Sequence, residues 1–295
     1  MAAKLIDGRV VSEEIRDDLK ARVARLLEKA VDPGLAFVIV GDNPGSISYV
    51  RSKAQGCQQI GMRSETFRLP EWTTQDELLA LVGGLNEDAA WQGMIVQLPL
   101  PKQIDALVIA AAIHVEKDAD AAHPYNLGRV LAGMPGPKPC TPAGIQQLLV
   151  RTGNDPAGKH VVIVGRSNIV GKPLAALLIQ KEPGANATVT ICHTATEDLA
   201  SHTRSADILV VAAGSVNAVT AGMVRPGAVV IDVGNNRVPD ASRRSGSRMV
   251  GDVDFEAVKD VASWITPVPG GVGPMTVTML LANTVAAADR LAGLA

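Results

Sequence analysis

Apolar positions along this chain recur in two alternating rhythms, one helical and one of short unbroken runs. From Ser12 onward, Ile15, Leu19, Val23, Leu26 and Leu27 fall on one helical face, and Pro33-Gly34 closes that element. Leu35–Val40 is a continuous apolar run rich in β-branched residues, as expected of a strand buried on both faces. Gly41-Asp-Asn-Pro-Gly45 turns the chain into a second helix, which runs through Tyr49 and Lys53 to Ile60; a strand over Ser64–Leu69 follows. Thr74 and Glu77 have the spacing of a capping box ahead of Leu78, Leu79 and Leu81, and Gly93–Gln97 is the next buried strand.

The rhythm restarts after Pro135-Gly-Pro-Lys-Pro139. Thr141-Pro142 opens a helix ending at Gly153, and the spacing then predicts strand His160–Val164, helix Val170–Gln180 and strands Ala187–Cys192, Ile208–Ala212 and Ala228–Val233. A last helix spans Met275 to Leu291. Strand–helix alternation of this kind predicts an α/β fold of two domains, each a mostly parallel sheet with flanking helices, the C-terminal one Rossmann-like, with the border near Pro139. A chain of 295 residues is long enough for two domains.

Composition narrows the function classes. Aromatics make up 3% of residues, so the core is built from Ala, Val, Leu and Ile, which suits α/β layering. Net charge is −2 with both signs interspersed, which argues against nucleic acid or a membrane surface as the main partner. Cys57, Cys140 and Cys192 are isolated, without metal-ligand spacing, and read as buried free thiols in a cytoplasmic protein. The opening residues lack a signal-peptide layout.

His160–Gly171 reads as strand, glycine turn and helix start, the context of a dinucleotide fingerprint. Its spacing departs from G-x-G-x-x-G, with Ser167 and Asn168 where the middle glycine would stand. Glycines also follow later strands, at Ala213-Gly214-Ser215 and Val233-Gly234-Asn235, where such folds bind ligands. The strand ending at Cys192 delivers His193, Thr194 and Thr196 instead of a carboxylate, and Arg166 is near; donors and a fixed positive charge favour NADP over NAD.

In the first half, Tyr49 and Lys53 share a helix face at i and i+4. Gln97-Leu-Pro-Leu-Pro101 sets an uncharged amide at a strand end, and Lys117-Asp118-Ala-Asp120 supplies carboxylates in a loop. Together they make a candidate polar pocket for acid–base chemistry. Short-chain dehydrogenases also use Tyr-x-x-x-Lys, but downstream of the cofactor turn, so that reading fails on order. The segment Pro267-Val-Pro-Gly-Gly-Val-Gly-Pro-Met-Thr276 is a stiff, bare backbone at a helix start, suited either to a flat ligand or to a hinge.

Taken in order, Tyr49-Val-Arg-Ser-Lys53, Gln97-Leu-Pro-Leu-Pro101, Lys117-Asp-x-Asp120, Gly165–Pro173 and Ile265–Thr276 resemble the bifunctional methylenetetrahydrofolate dehydrogenase/cyclohydrolase family over nearly the whole chain. The resemblance implies oxidation of 5,10-methylenetetrahydrofolate by NADP, hydrolysis of the methenyl product to 10-formyltetrahydrofolate, a homodimer, and a folate cleft between the domains. It implies a catalytic, folate-binding domain over residues 1–139, completed by a C-terminal helix over 275–295, and a cofactor domain over 140–274. Lys53 becomes the central acid/base, Gln97 its tuning partner, Asp120 the grip on the pterin and Tyr49 a stacking surface. Pro269, Gly270, Gly271, Val272 and Gly273 line the folate site, while Gly165, Arg166, Ser167, Val170, His193, Thr194, Gly214 and Asn235 hold the cofactor. No metal is expected. Two departures stand out: Ala121-Ala122 replaces the family's Gly-Phe, with a strained positive-φ turn expected, and Asn235 stands where isoleucine is usual. A dehydrogenase for another small molecule and a non-catalytic binding module are the alternatives; Gln97, Asp120 and the glycine loop argue against the former, and Lys53 against the latter.

Overall fold

A computed structural model describes residues 2–243 and 246–294. Its strands, in chain order, are β1 (Lys4–Leu5), β2 (Gly34–Val40), β3 (Arg63–Leu69), β4 (Gly93–Val96), β5 (His160–Val164), β6 (Thr188–Cys192), β7 (Ile208–Val211), β8 (Val229–Asp232), β9 (Asn236–Pro239), β10 (Ser247–Val250) and β11 (Trp264–Ile265). The chain divides into two compact units.

One unit comprises Glu13–Cys140 and the described residues from Val277 onward. Its sheet runs β3-β2-β4, with both pairings parallel. The central strand β2 is buried at every position because helices cover both faces, hence its unbroken apolar run. Ala36, Val38 and Val40 pack with Leu78, Val82, Leu85 and Trp91 in one cluster. The helix Pro44–Ile60 starts where the Asn43 side chain accepts the Gly45 and Ser46 N–H groups and stops at Gly61, which is left-handed at φ 77°. Thr74 and Glu77 form the capping box of helix Gln75–Glu87.

The other unit comprises the described residues up to Ser12 together with Thr141–Thr276. Its six strands lie in the order β1-β11-β8-β7-β5-β6, and every pairing is parallel. The chain runs from β5 outward to β6, then returns to the far side of β5 for β7, so the order in which strands are added reverses between β5 and β7. Its core joins Val162, Leu209, Val211, Val230 and Ile265, and an antiparallel ribbon of β9 and β10 accompanies the sheet.

The N-terminal lead differs from expectation. The reading of residues 1–139 as one domain places it with Lys53, yet it clusters with the six-stranded unit. Strand β1 pairs with β11, and the Ile6 N–H donates to Ile265 O at 2.9 Å, so an edge strand two residues long captures the chain before its first helix. That helix starts at Gly8, four residues before Ser12, and the C-terminal helix starts at Val272, three before Met275. Neither β1 nor β11 has enough residues to show a period in the sequence.

Candidate active site

Lys53 lies on the inner face of helix Pro44–Ile60, 6% exposed. Its Nζ donates to Gln97 Oε1 at 2.9 Å, and Gln97 Nε2 donates to Leu98 O at 2.7 Å, which holds the amide in register at the end of β4. Burial pushes the Lys53 pKa below its ordinary value of 10.5, opposed by the negative charge of Asp120. Gln97 thus fixes the amine without adding a charge that would cancel this depression. Tyr49, one turn earlier, is 42% exposed, and burial raises its phenol pKa.

The loop that follows the short helix Ala106–Ala112 is shaped by residues that do not face outward. Lys117 Nζ donates to Leu85 O and Asp88 O at 3.1 and 2.8 Å. The buried Asp118 accepts the Ala122 and His123 N–H groups at 3.1 and 2.8 Å and Asn126 Nδ2 at 2.9 Å. Two members of the Lys117-Asp-x-Asp120 motif are therefore scaffolding, which leaves Asp120 half-buried as the carboxylate toward Lys53 and Cys140. Ala121 adopts φ 53°, left-handed and fully buried: the strained turn expected where the family has glycine.

In the six-stranded unit, the cofactor candidates follow the carboxyl ends of adjacent strands. Gly165 follows β5, His193 and Thr194 follow β6, Gly214 follows β7, and Asn235 follows β8. Arg166, Ser167, Thr194, Gly214 and Asn235 are exposed, His193 is half-buried, and Val170 is buried at the helix start. Gly165 has φ 135°, and a Cβ there would stand 2.3 Å from Ala212 O on β7's exit; one on Gly171 would stand 2.0 Å from Gly165 O. The Ser167 hydroxyl accepts the Val170 N–H at 3.1 Å. Helix Gly171–Leu178 has no side-chain cap, so its positive end favours an anion. A turn with glycine at both ends where the strand order reverses, a helix N-terminus and an exposed guanidinium fit a dinucleotide phosphate.

The proline-glycine segment follows β11 in the same unit. Gly270, Gly271 and Val272 are buried, whereas Pro269 and Gly273 are exposed. Gly270 O accepts the Gly8 N–H at 2.9 Å, and a Cβ on Gly8 would stand 1.8 Å from Gly271 O. The close approach that these glycines permit is made here by the chain's own N-terminal segment.

A family model described as the tetrahydrofolate dehydrogenase/cyclohydrolase catalytic domain matches residues 6–120, and one described as that family's NAD(P)-binding domain matches residues 139–292. The chain belongs to the tetrahydrofolate dehydrogenase/cyclohydrolase family. Its relatives include bifunctional protein FolD 1 of Myxococcus xanthus, 54% identical over 289 residues and covered to 98% on both sides. The crystal structure of the bifunctional enzyme FolD from Campylobacter jejuni superposes with a TM-score of 0.92 at 47% identity, covering 98% of this chain and 100% of that one. The Trypanosoma brucei dehydrogenase–cyclohydrolase, solved with NADP cofactor and inhibitor, gives 0.92 at 41% identity and 99% coverage of each chain.

Within this family member, four residues near the candidate sites escaped the sequence motifs. Cys140 is buried with its thiol pKa raised well above 9.0, first by burial and then by Asp120. Asn283, on the C-terminal helix, donates through Nδ2 to Ala119 O and Lys138 O, both at 2.9 Å, which braces the residue before Asp120. Asp232 and Asp252 form a buried pair beneath the turns after β7 and β8. The long sequence separations hid the first two, and the carboxylates carry no motif of their own.

Proposed function

We propose that this chain is a bifunctional enzyme of one-carbon metabolism. It oxidises 5,10-methylenetetrahydrofolate with NADP and hydrolyses the resulting 5,10-methenyltetrahydrofolate to 10-formyltetrahydrofolate. The observation that carries the reading is a buried amine, Lys53, held at 2.9 Å by a neutral amide in a chain whose two halves match the family's catalytic and NAD(P)-binding domains.

In hydrolysis, water adds to the cationic methenyl carbon, one C–N bond opens, and one proton leaves. Burial favours the unprotonated form of the Lys53 amine, and taking up that proton is the role proposed for Lys53. Gln97 holds the amine by its amide oxygen, and Asp120 accepts hydrogen bonds from the pterin ring. Tyr49 offers a ring face to the substrate, and Pro269–Gly273 form the folate-facing segment.

NADP, when bound, accepts a hydride from the methylene carbon of the substrate. Gly165, Arg166, Ser167, Val170, His193, Thr194, Gly214 and Asn235 are the residues proposed to hold it. Arg166 supplies a fixed positive charge, and His193 and Thr194 stand where a carboxylate would repel a 2′-phosphate. His193 is already organised: its N–H donates to Thr196 Oγ1 at 2.8 Å, and its Nδ1 accepts the Ala195 N–H at 3.2 Å.

The reading extends to a homodimer, following the family resemblance, which sedimentation of the purified protein checks. Three buried free thiols suit a reducing, cytoplasmic compartment. No helix of the described residues is long and apolar enough to cross a membrane.

The deciding experiment mixes purified protein with 5,10-methylenetetrahydrofolate and either NADP or NAD. NADPH formation with little methenyl build-up is expected. Absence of both cofactor reduction and methenyl hydrolysis would refute the assignment.

A further inference from the structure

The turns after β7 and β8 rest on a carboxylate that no sequence motif marked. Asp252 is fully buried. Its Oδ2 accepts the Gly214 N–H at 2.8 Å, and its Oδ1 accepts Asn236 Nδ2 at 2.7 Å. Asp232, the last residue of β8, holds it from below. Asp232 Oδ1 accepts the N–H groups of Asp252 and Gly234 at 2.9 and 2.8 Å, and its Oδ2 accepts the Val253 N–H at 3.0 Å. Two glycines make room: a Cβ on Gly251 would stand 1.7 Å from Asp232 Oδ2, and one on Gly234 2.2 Å from the Asp252 nitrogen.

Gly214 shows what this device does. Nothing lies within 4 Å of where its Cβ would be, so crowding does not require glycine there. Its left-handed backbone, φ 68°, does, and its N–H points at Asp252. The same acid anchors Asn236, next to the exposed Asn235. Burying two carboxylates is costly unless their acceptors are filled, and here they organise the backbone of two turns at neighbouring strand ends.

We propose that Asp252 is a positioning residue for the dinucleotide. It sets the backbone of Gly214 and, through the Asn236 side-chain amide, holds the turn beside Asn235, and through them the affinity for NADP. This rests on the reading of Gly214 and Asn235 as cofactor-binding residues. Hydrolysis of methenyltetrahydrofolate uses no dinucleotide, so the second activity of the same molecule reports general damage.

The test measures NADP affinity by titration calorimetry, alongside methenyl hydrolysis, in Asp252→Ala, Asp252→Asn and Gly214→Val. In Asp252→Ala the NADP Kd should rise on the order of tenfold, since a charge-assisted hydrogen bond is lost. Hydrolysis should stay within about twofold of the parent. An unchanged Kd in folded Asp252→Ala overturns the proposal; so does an equal loss of hydrolysis, which marks a purely structural role. Should Asp252→Ala fail to fold, Asp252→Asn decides: a Kd raised severalfold supports positioning, and a parental Kd sinks it. Gly214→Val separates the two layers. If it weakens NADP binding while Asp252→Ala does not, only the positioning role fails; if it leaves binding intact, the cofactor reading of this turn fails and the proposal with it.

Discussion

Around Lys53, each nearby segment contributes a polar side chain: Gln97 from the end of β4, Asp120 from a loop, Cys140 from the start of a helix. The turn after β5 is built the opposite way, by side chains that are missing. Gly165 and Gly171 lie so close to backbone oxygens that even a methyl group would collide. In the function proposed above, one region does chemistry with a tuned functional group and the other makes a backbone surface on which a cofactor can rest. The first should be sensitive to changes of charge and the second to added volume, and each should leave the other activity largely intact.

The largest expected effect is on the first region. Lys53→Met should lower methenyl hydrolysis by about a hundredfold or more, the usual worth of a general base, with NADP affinity unchanged in calorimetry. A variant that hydrolyses at the parental rate removes Lys53 from the mechanism. Stability carries a second signature. Because burial lowers the folded-state pKa of Lys53 below 10.5, the unfolded chain binds the extra proton between the two values, and stability rises with pH across that window. Lys53→Met should flatten that rise in denaturant titrations at stepped alkaline pH.

Gly171→Val probes the second region. Its side chain has backbone to displace, so local strain on the order of 3 kcal/mol and about a hundredfold loss of NADP affinity are expected, with hydrolysis of added methenyl substrate retained. Equal loss of both activities would erase the contrast between the regions.

Gln97→Glu sharpens the contrast without removing a group. A carboxylate beside Lys53 Nζ favours the ammonium, so the pH at which hydrolysis switches on should move upward, with the rate at neutral pH slowed on the order of tenfold. A pH profile superimposable on the parent's would mean that Lys53 is not the titrating base.

The smallest effect belongs to Ala121. Its left-handed conformation costs about 1 kcal/mol, and glycine would relieve this while giving back about half of it through a freer unfolded chain. Ala121→Gly should therefore gain roughly 0.5 kcal/mol in chemical denaturation. A loss would show that contacts of the buried methyl outweigh the strain.

The sequence by itself determined the α/β alternation, because β2, β5, β7 and β8 are short apolar runs separated by helical periods, and strands covered on both faces need such runs. It also determined the helix that carries Tyr49 and Lys53, since Asn43-Pro44 and Gly61 punctuate it locally, while the left-handed turn at Ala121 was foretold by the family resemblance. Only the tertiary structure decided where the N-terminal lead belongs, because β1 gains its place from pairing with β11 about 260 residues away and from Gly8 meeting Gly271. It likewise decided that Asp118 is scaffolding while Asp120 is not. The two carboxylates are alike in sequence and differ in burial and in the backbone and Asn126 N–H groups that reach Asp118. The Asp232–Asp252 pair was illegible for the same reason: hydrogen bonds between distant strand ends leave no period or spacing in the chain, only two ordinary acids.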